Sequence, residues 1–159
     1  MSHSMLDIDA KDRAILDALQ ADGRLSNVEL AACVHLSASA CLRRVRLLEE
    51  SGVIAGYTML VDPHAVGIPG NVFAEITLVS QKQGDLDCFE EAVRAVPEVM
   101  ECYLVTGEYD YLLRVVARDT VDYERIHHEH LTKLPGVARV KSSFTLRTVA
   151  KKTALPLRS

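Results

Sequence analysis

The stretch from Leu25 to Arg46 constrains this chain more than any other. Ser26 and Glu29 have the S-x-x-E spacing of a capping box, which fixes where a helix begins. The inward set of that helix is Leu30, Ala31 and Val34. His35 and Leu36 make a turn, and Ser37 caps a further helix that runs to about Glu50, before Gly52. Upstream, Asp9 is a good N-cap for a first helix that carries Ile8, Ile15, Leu16 and Leu19 towards one side. Ala21-Asp22-Gly23 ends it, with the glycine suited to a helix C-terminus. Three short helices cannot each bury much alone, so they are expected to pack as one trihelical unit. Two helices joined by a tight turn, the second rich in arginine, is the pattern of a helix-turn-helix DNA reader.

On a helical wheel starting at Ala38, the residues Cys41, Leu42, Val45 and Leu48 fall on one side, expected to face inward. Ser39, Arg43 and Leu47 point away, with Arg44 and Arg46 on the flanks. Arginine gives paired hydrogen bonds to guanine O6 and N7, or clamps phosphate. Ser37 and Ser39, beside the free N–H groups of a helix start, suit phosphate or base-edge contacts. With Ser26 and Asn27 at the start of the preceding helix, the candidate DNA-binding set is Ser26, Asn27, Ser37, Ser39, Arg43, Arg44 and Arg46. Leu47 either touches a thymine methyl or packs on a wing. A merely solvated basic face is the bland alternative. The net charge of the chain is −4, and residues 1–62 hold six Lys/Arg against nine Asp/Glu. Residues 37–46 hold three arginines and no acid. The positive charge is therefore local, which favours a concentrated contact surface used in several copies over a diffuse electrostatic binder.

At 159 residues, 48% hydrophobic and 25% charged, the composition is that of an ordinary globular protein of one domain or two small ones. No apolar run approaches the ~20 residues of a membrane helix, and no signal peptide is evident. Met1–Met5 is set aside from fold reasoning. Cys33, Cys41, Cys88 and Cys102 have no C-x-x-C spacing, so reduced, mostly buried thiols in a cytoplasm are expected, with Cys41 in the core. No nucleophile elbow, phosphate loop or paired-metal spacing is present. The expectation is a protein that is not an enzyme, with no metal and no cofactor. His127-His128-Glu129-His130 looks like a metal cluster. On a helix, however, His127 and His130 fall among Tyr123, Ile126, Leu131 and Leu134 while His128 and Glu129 face elsewhere, so buried or interface histidines are expected instead.

After Gly52 the pattern changes. Residues 53–60 read as a strand, a wing or hinge ended by Asp62-Pro63. Pro63, Gly67, Pro69 and Gly70 then mark a linker. Beyond it, Val72–Val79 alternates as a strand, and a helix from about Asp85 carries Leu86, Phe89, Val93 and Val96 and closes at Pro97. Strands at 99–106 and 111–117 flank Gly107-Glu108-Tyr109-Asp110. A second helix spans about 121–134, and a last strand covers roughly 137–149. The order β-α-β-β-α-β is the ferredoxin-like arrangement. Both helices on one face leave the other face of the sheet open, and a second copy of the chain is the simplest cover. The loop at Gly107 reads either as a plain hairpin turn or as part of an amino-acid pocket. In the second reading its backbone N–H groups meet a carboxylate, and Glu108 and Asp110 supply charge for an ammonium.

Taken in order, Leu6-Asp7, Asp12, Ile15-Leu16, Asp22-Gly23-Arg24, Ser26–Ala31, Leu36-Ser37, Ser39, Cys41–Val45, Leu48-Glu49, Gly52–Tyr57, Pro97–Val99, Val105–Leu113 and Leu134–Val137 resemble the Lrp/AsnC (feast/famine) transcription regulators. The match runs over about residues 6–157. The resemblance implies an α+β protein with a winged helix-turn-helix domain at 6–62, a linker at 63–70, a ferredoxin-like, ACT-like effector and oligomerisation domain at 71–150, and a C-terminal tail at 151–159. It implies a sequence-specific regulator of amino-acid metabolism whose partners are double-stranded DNA, an amino-acid effector and further copies of itself. The homodimers would assemble into higher oligomers, often octamers in this family. It also implies that Thr106, Gly107, Glu108, Tyr109 and Asp110 contribute to the effector pocket at the contact between dimers. This sequence departs from the family's pattern in having His35 where a glycine is usual, and Ala38 and Ala40 where prolines are common. Two rival readings are an architectural DNA binder without ligand, and a metabolite-sensing accessory protein whose helical half binds protein. The arginine face argues against the second, and the Gly107–Asp110 loop against the first.

Overall fold

The computed structural model of the chain describes residues 7–157. Leu6, the segment Met1–Met5 and the last two tail residues therefore lie outside the described residues. The chain divides into two compact units, one formed by the residues up to Leu60 together with those from Ala150 onward, the other by Val61–Val149.

In the first unit, α1 (Ala10–Ala21), α2 (Asn27–Cys33) and α3 (Ala38–Glu50) follow in order. Asp9 caps α1 through a reciprocal box with Asp12, and Ser26 caps α2 through the expected box with Glu29. Ser37 accepts from the Ala40 N–H at the start of α3. Ile15, Leu16, Leu30, Ala31, Val34, Cys41 and Leu48 form the core. Lys11 Nζ donates to the Val34 carbonyl at 2.7 Å, satisfying an oxygen left free at the end of α2.

The turn between α2 and α3 passes through His35 at φ 55°, a left-handed conformation that favours glycine. The departure from the family's glycine thus falls on the position where glycine relieves a Cβ clash. The neighbouring bonds, His35 N–H to Ala32 O and Leu36 N–H to Ala31 O, are backbone bonds and survive any side chain. His35→Gly is expected to stabilise the protein by up to about 1 kcal/mol in urea unfolding. A loss of stability would mean that the imidazole makes a contact that outweighs the strain.

The strand expected at 53–60 is not formed. Residues 55–62 have no regular ladder, because no other strand lies beside them in the first unit. Tyr57 instead ties the segment to α3, donating to Glu49 Oε1 at 2.9 Å. Residues from Ala150 onward, expected as a plain tail, belong to this unit. Leu155 and Gln20 exchange two hydrogen bonds (2.6 and 3.2 Å), and Leu157 packs against the core.

The second unit is built from β1 (Gly70–Leu78), α4 (Gln83–Arg94), β2 (Val99–Leu104), β3 (Tyr111–Ala117), α5 (Thr120–Glu129) and β4 (Val137–Phe144). The sheet is antiparallel in the order β2-β3-β1-β4, with Val72 opposite Val115 and Phe144. The residues expected to turn inward do so. Val72, Ala74, Ile76, Leu113 and Val115 pack with Phe89, Val93, Tyr123 and Ile126 from the helices. The second helix stops at Glu129 rather than 134 and continues as a 3-10 turn over Leu131–Lys133. The last strand ends at Phe144, not 149: Phe144 pairs with Val72, the next N–H bonds to Asn71 O, and β1 has only Gly70 left beyond. The other sheet face is mixed rather than apolar. Phe73 lies there among the ion pairs Arg114–Glu101 (2.7 Å) and Lys141–Glu75 (3.1 Å).

Around the start of α5, Arg125 reaches Glu98, Asp122 and Glu129 at 3.0–3.4 Å, and Arg118 reaches Asp122 at 3.2 Å. The Arg118 side chain and backbone N–H, then Arg125, hold the Asp122 carboxyl well below the usual carboxylate range. A carboxyl depressed in the folded state contributes stability above its unfolded value near 3.8 and loses that contribution as pH falls below it. Thermal melts from pH 7 to pH 3 should therefore show a shallower acid decline for Asp122→Asn than for the parent. An identical slope would remove Asp122 from the acid-labile set.

Candidate nucleic-acid interface and effector region

The capped start of α3 and the inward stripe Cys41, Arg44, Val45 and Leu48 set how this helix presents its side chains. These positions have i, i+3, i+4, i+7 spacing, so the stripe includes Arg44 and leaves Leu42 on the rim, 38% exposed. This corrects the helical-wheel expectation for both residues. Arg44 NH1 bonds Asp12 Oδ1 at 2.7 Å and Asp9 Oδ2 at 2.8 Å. Asp12 is buried, so the guanidinium serves as its counter-ion. Arg44 is therefore committed to its own fold. Asp9 is held below the usual carboxylate range by the Asp12 N–H and by Arg44.

Arg43 and Arg46 are exposed, with Leu47 beside them at 45% exposure. Ser37 and Ser39 are exposed at the helix start, their hydroxyls 3.3 Å apart. Ser26 is exposed, but its hydroxyl donates to Glu29 at 2.7 Å. Asn27 is half-buried, and its Nδ2 donates to the Ala38 carbonyl at 2.8 Å, joining the start of α2 to the start of α3. Of the seven candidates, four form one open face: Ser37, Ser39, Arg43 and Arg46. Ser26, Asn27 and Arg44 hold that face in place. Val28, absent from the candidate set, is 70% exposed on α2.

In the second unit, Thr106, Gly107 and Glu108 are exposed on the loop between β2 and β3, and Tyr109 is half-buried. Gly107 has φ 135°, open to glycine alone without strain. Asp110 is buried. Its Oδ2 accepts the Leu78 N–H at 2.7 Å and its Oδ1 accepts Gln81 Nε2 at 2.6 Å. Its backbone N–H donates to Ile76 O, and its carbonyl accepts from Val105. The carboxylate thus clamps the end of β1 to the base of the loop, a role that spacing along the chain does not reveal.

The cysteines divide differently from expectation. Cys41 is buried, Cys102 partly so, and Cys33 and Cys88 are exposed. His128 is exposed while His127 and His130 are half-buried, and no metal-holding cluster of three His, Cys, Asp or Glu exists among the described residues. No helix among the described residues is long and apolar enough to cross a membrane.

Residues 8–55 match the winged helix-turn-helix DNA-binding model, and residues 71–155 match the Lrp/AsnC ligand binding domain. The chain belongs to the Lrp/AsnC family. It is similar to the leucine-responsive regulatory protein of Escherichia coli K12, 42% identical over 156 residues, covering 96% of this chain and 93% of that protein. An uncharacterized HTH-type transcriptional regulator of Sinorhizobium fredii is 53% identical over 116 residues, 73% of this chain and 91% of that one. A transcriptional regulator of Neisseria meningitidis, solved as a complex with L-methionine, superposes with a TM-score of 0.89 at 36% identity, covering 93% of this chain and 96% of that chain. This Lrp/AsnC protein is accordingly a DNA-binding transcription regulator with a ligand-binding domain, and its relatives are regulators rather than enzymes.

Proposed function

We propose that this protein is a sequence-specific regulator in which Arg43 and Arg46 enter the major groove while Ser37 and Ser39 meet the backbone. The observation that carries this is the outward face of α3 up to Arg46, which exposes two guanidinium groups and no carboxylate. Leu42 and Leu47 flank the arginines and suit thymine methyl groups. Ser26, Asn27 and Arg44 position the helix.

The effector is a free amino acid, supported by the L-methionine complex of the Neisseria relative and the leucine response in the name of the Escherichia coli one. Thr106, Gly107, Glu108 and Tyr109 border its site, and Asp110 holds their loop. The open sheet face takes a second copy of the chain, and the dimers assemble further. A ligand shifts such an assembly only by its differential affinity for the assembled states. The spacing of paired readers, and so the choice of DNA sites, then follows the ligand. Such a protein works in the cytoplasm, where its DNA is.

The test is fluorescence anisotropy on DNA selected from a genomic library, with and without each of the twenty amino acids. Binding that resists competitor DNA and shifts at least threefold with one of them is the expected result. Equal affinity for random DNA, unmoved by any amino acid, would favour the architectural reading.

A further inference from the structure

Between α4 and the edge strand β2 the second unit holds a cavity of about 400 Å³, a size that suits a small molecule. Its apolar wall is Val93, Val99, Met100 and Leu104. Its polar end carries both signs of charge on one helix, Glu90 and Arg94 being one turn apart. The Glu90 carboxylate is held in place by the Tyr111 hydroxyl, which donates to Oε1 at 2.9 Å. Tyr111 is itself buried and packed on Phe89, their ring centroids 4.5 Å apart, so this anchor is rigid. Arg94 touches Glu90 Oε2 at 3.3 Å through NH2 and is otherwise largely exposed. A guanidinium has five N–H donors, so its capacity for a carboxylate is not used up by that one contact.

Cys102 completes the lining. Burial, then the Glu90 charge, pushes its thiol up to about 11, which keeps it neutral at physiological pH. A neutral thiol is a soft, polarizable surface. Leu104 and Tyr111, the residues that bracket the loop, also line the cavity, so it begins where the loop begins.

We propose that this cavity is the effector site and that it selects a free amino acid with an uncharged, flexible side chain of leucine or methionine size. The carboxylate lies on Arg94, the ammonium on Glu90, and the side chain against Val93, Met100, Leu104 and Cys102. An acidic side chain would bring a third carboxylate beside Glu90 and Glu101 and bury it against apolar walls. Alanine would leave the apolar wall without contacts. The proposal rests on the effector reading above and narrows it to a pocket and a side-chain class.

Isothermal titration of the full chain with L-methionine, L-leucine, L-alanine and L-glutamate tests it, alongside Arg94→Gln, Arg94→Lys and Cys102→Phe. Methionine and leucine should bind at least tenfold more tightly than alanine or glutamate. Arg94→Gln, an exposed change that spares the fold, should weaken methionine at least tenfold, with Arg94→Lys recovering part of the loss. Cys102→Phe should fill the cavity and abolish binding; if it does not fold, the Arg94 pair decides. Methionine binding at parental affinity in Arg94→Gln overturns the cavity and leaves the effector reading intact. If the parent protein binds none of the twenty amino acids, the effector reading itself fails.

Discussion

Arg43→Ala is expected to weaken DNA binding by about 1–3 kcal/mol and to leave the melting temperature where it was, whereas Arg44→Ala does the reverse. The two residues are adjacent in sequence and identical in chemistry, so only their surroundings separate them. Arg43 is exposed on the outward face of α3. Arg44 spans the buried Asp12 and the more exposed Asp9 through one nitrogen. Removing it strands the Asp12 carboxylate in a site that is 7% exposed. Leaving a buried charged acceptor without its partner costs about 1–3 kcal/mol or more. Urea unfolding and anisotropy on the same two variants check both halves. Should Arg44→Ala melt like the parent and lose DNA, the assignment of the two arginines is inverted. A double variant, Arg43→Ala with Arg46→Ala, should reduce binding to the weak level set by phosphate contacts alone, and its salt dependence should flatten.

That contrast also shows what the sequence discloses and what it withholds. The caps at Asp9, Ser26 and Ser37 are local, each involving a side chain and an N–H three residues on, so they can be read from spacing. The same holds for the alternation in β1 and β3, where one face is buried and a period of two follows. The strand expected at 53–60 fails because its alternation says only that it can be extended. A ladder needs a neighbour, and none is present in the first unit. The late ends predicted for α5 and β4 fail for a related reason. Apolar residues continue past both, but helix hydrogen bonding stops at His130 and the partner strand runs out at Gly70.

The candidate sites divide along the same line. Ser37, Ser39, Arg43 and Arg46 were legible because a helix with one buried stripe must expose the opposite one. Arg44 was misassigned because its partners are on α1, 32 and 35 residues earlier in the chain. The Asp110 clamp was invisible for the same reason, since Leu78 lies 32 residues away. Glu90, Arg94 and Cys102 come together only when α4 lies against the edge of β2, which no single segment announces. Long-range pairing between polar side chains leaves no period in a sequence, whereas apolar packing does.

Asp110 gives the second large effect, and it separates a residue that holds a site from one that touches the ligand. Asp110→Ala should lower stability by about 2 kcal/mol, because the buried Leu78 N–H loses a charged acceptor. The loop base should loosen with it, and ligand response should fall for that reason alone, so alanine by itself cannot identify the role. Asp110→Asn can. Its one carbonyl oxygen still accepts from Leu78, and Gln81, whose amide can turn, presents its own oxygen to the new NH2 group. Most of the stability is therefore retained while the negative charge is gone. If the carboxylate only positions the loop, Asp110→Asn should bind amino acid within about threefold of the parent, less than 1 kcal/mol. If instead the carboxylate meets the ligand's ammonium, the affinity should drop by tenfold or more in a protein that melts normally, and the clamp described here would not be the residue's main task.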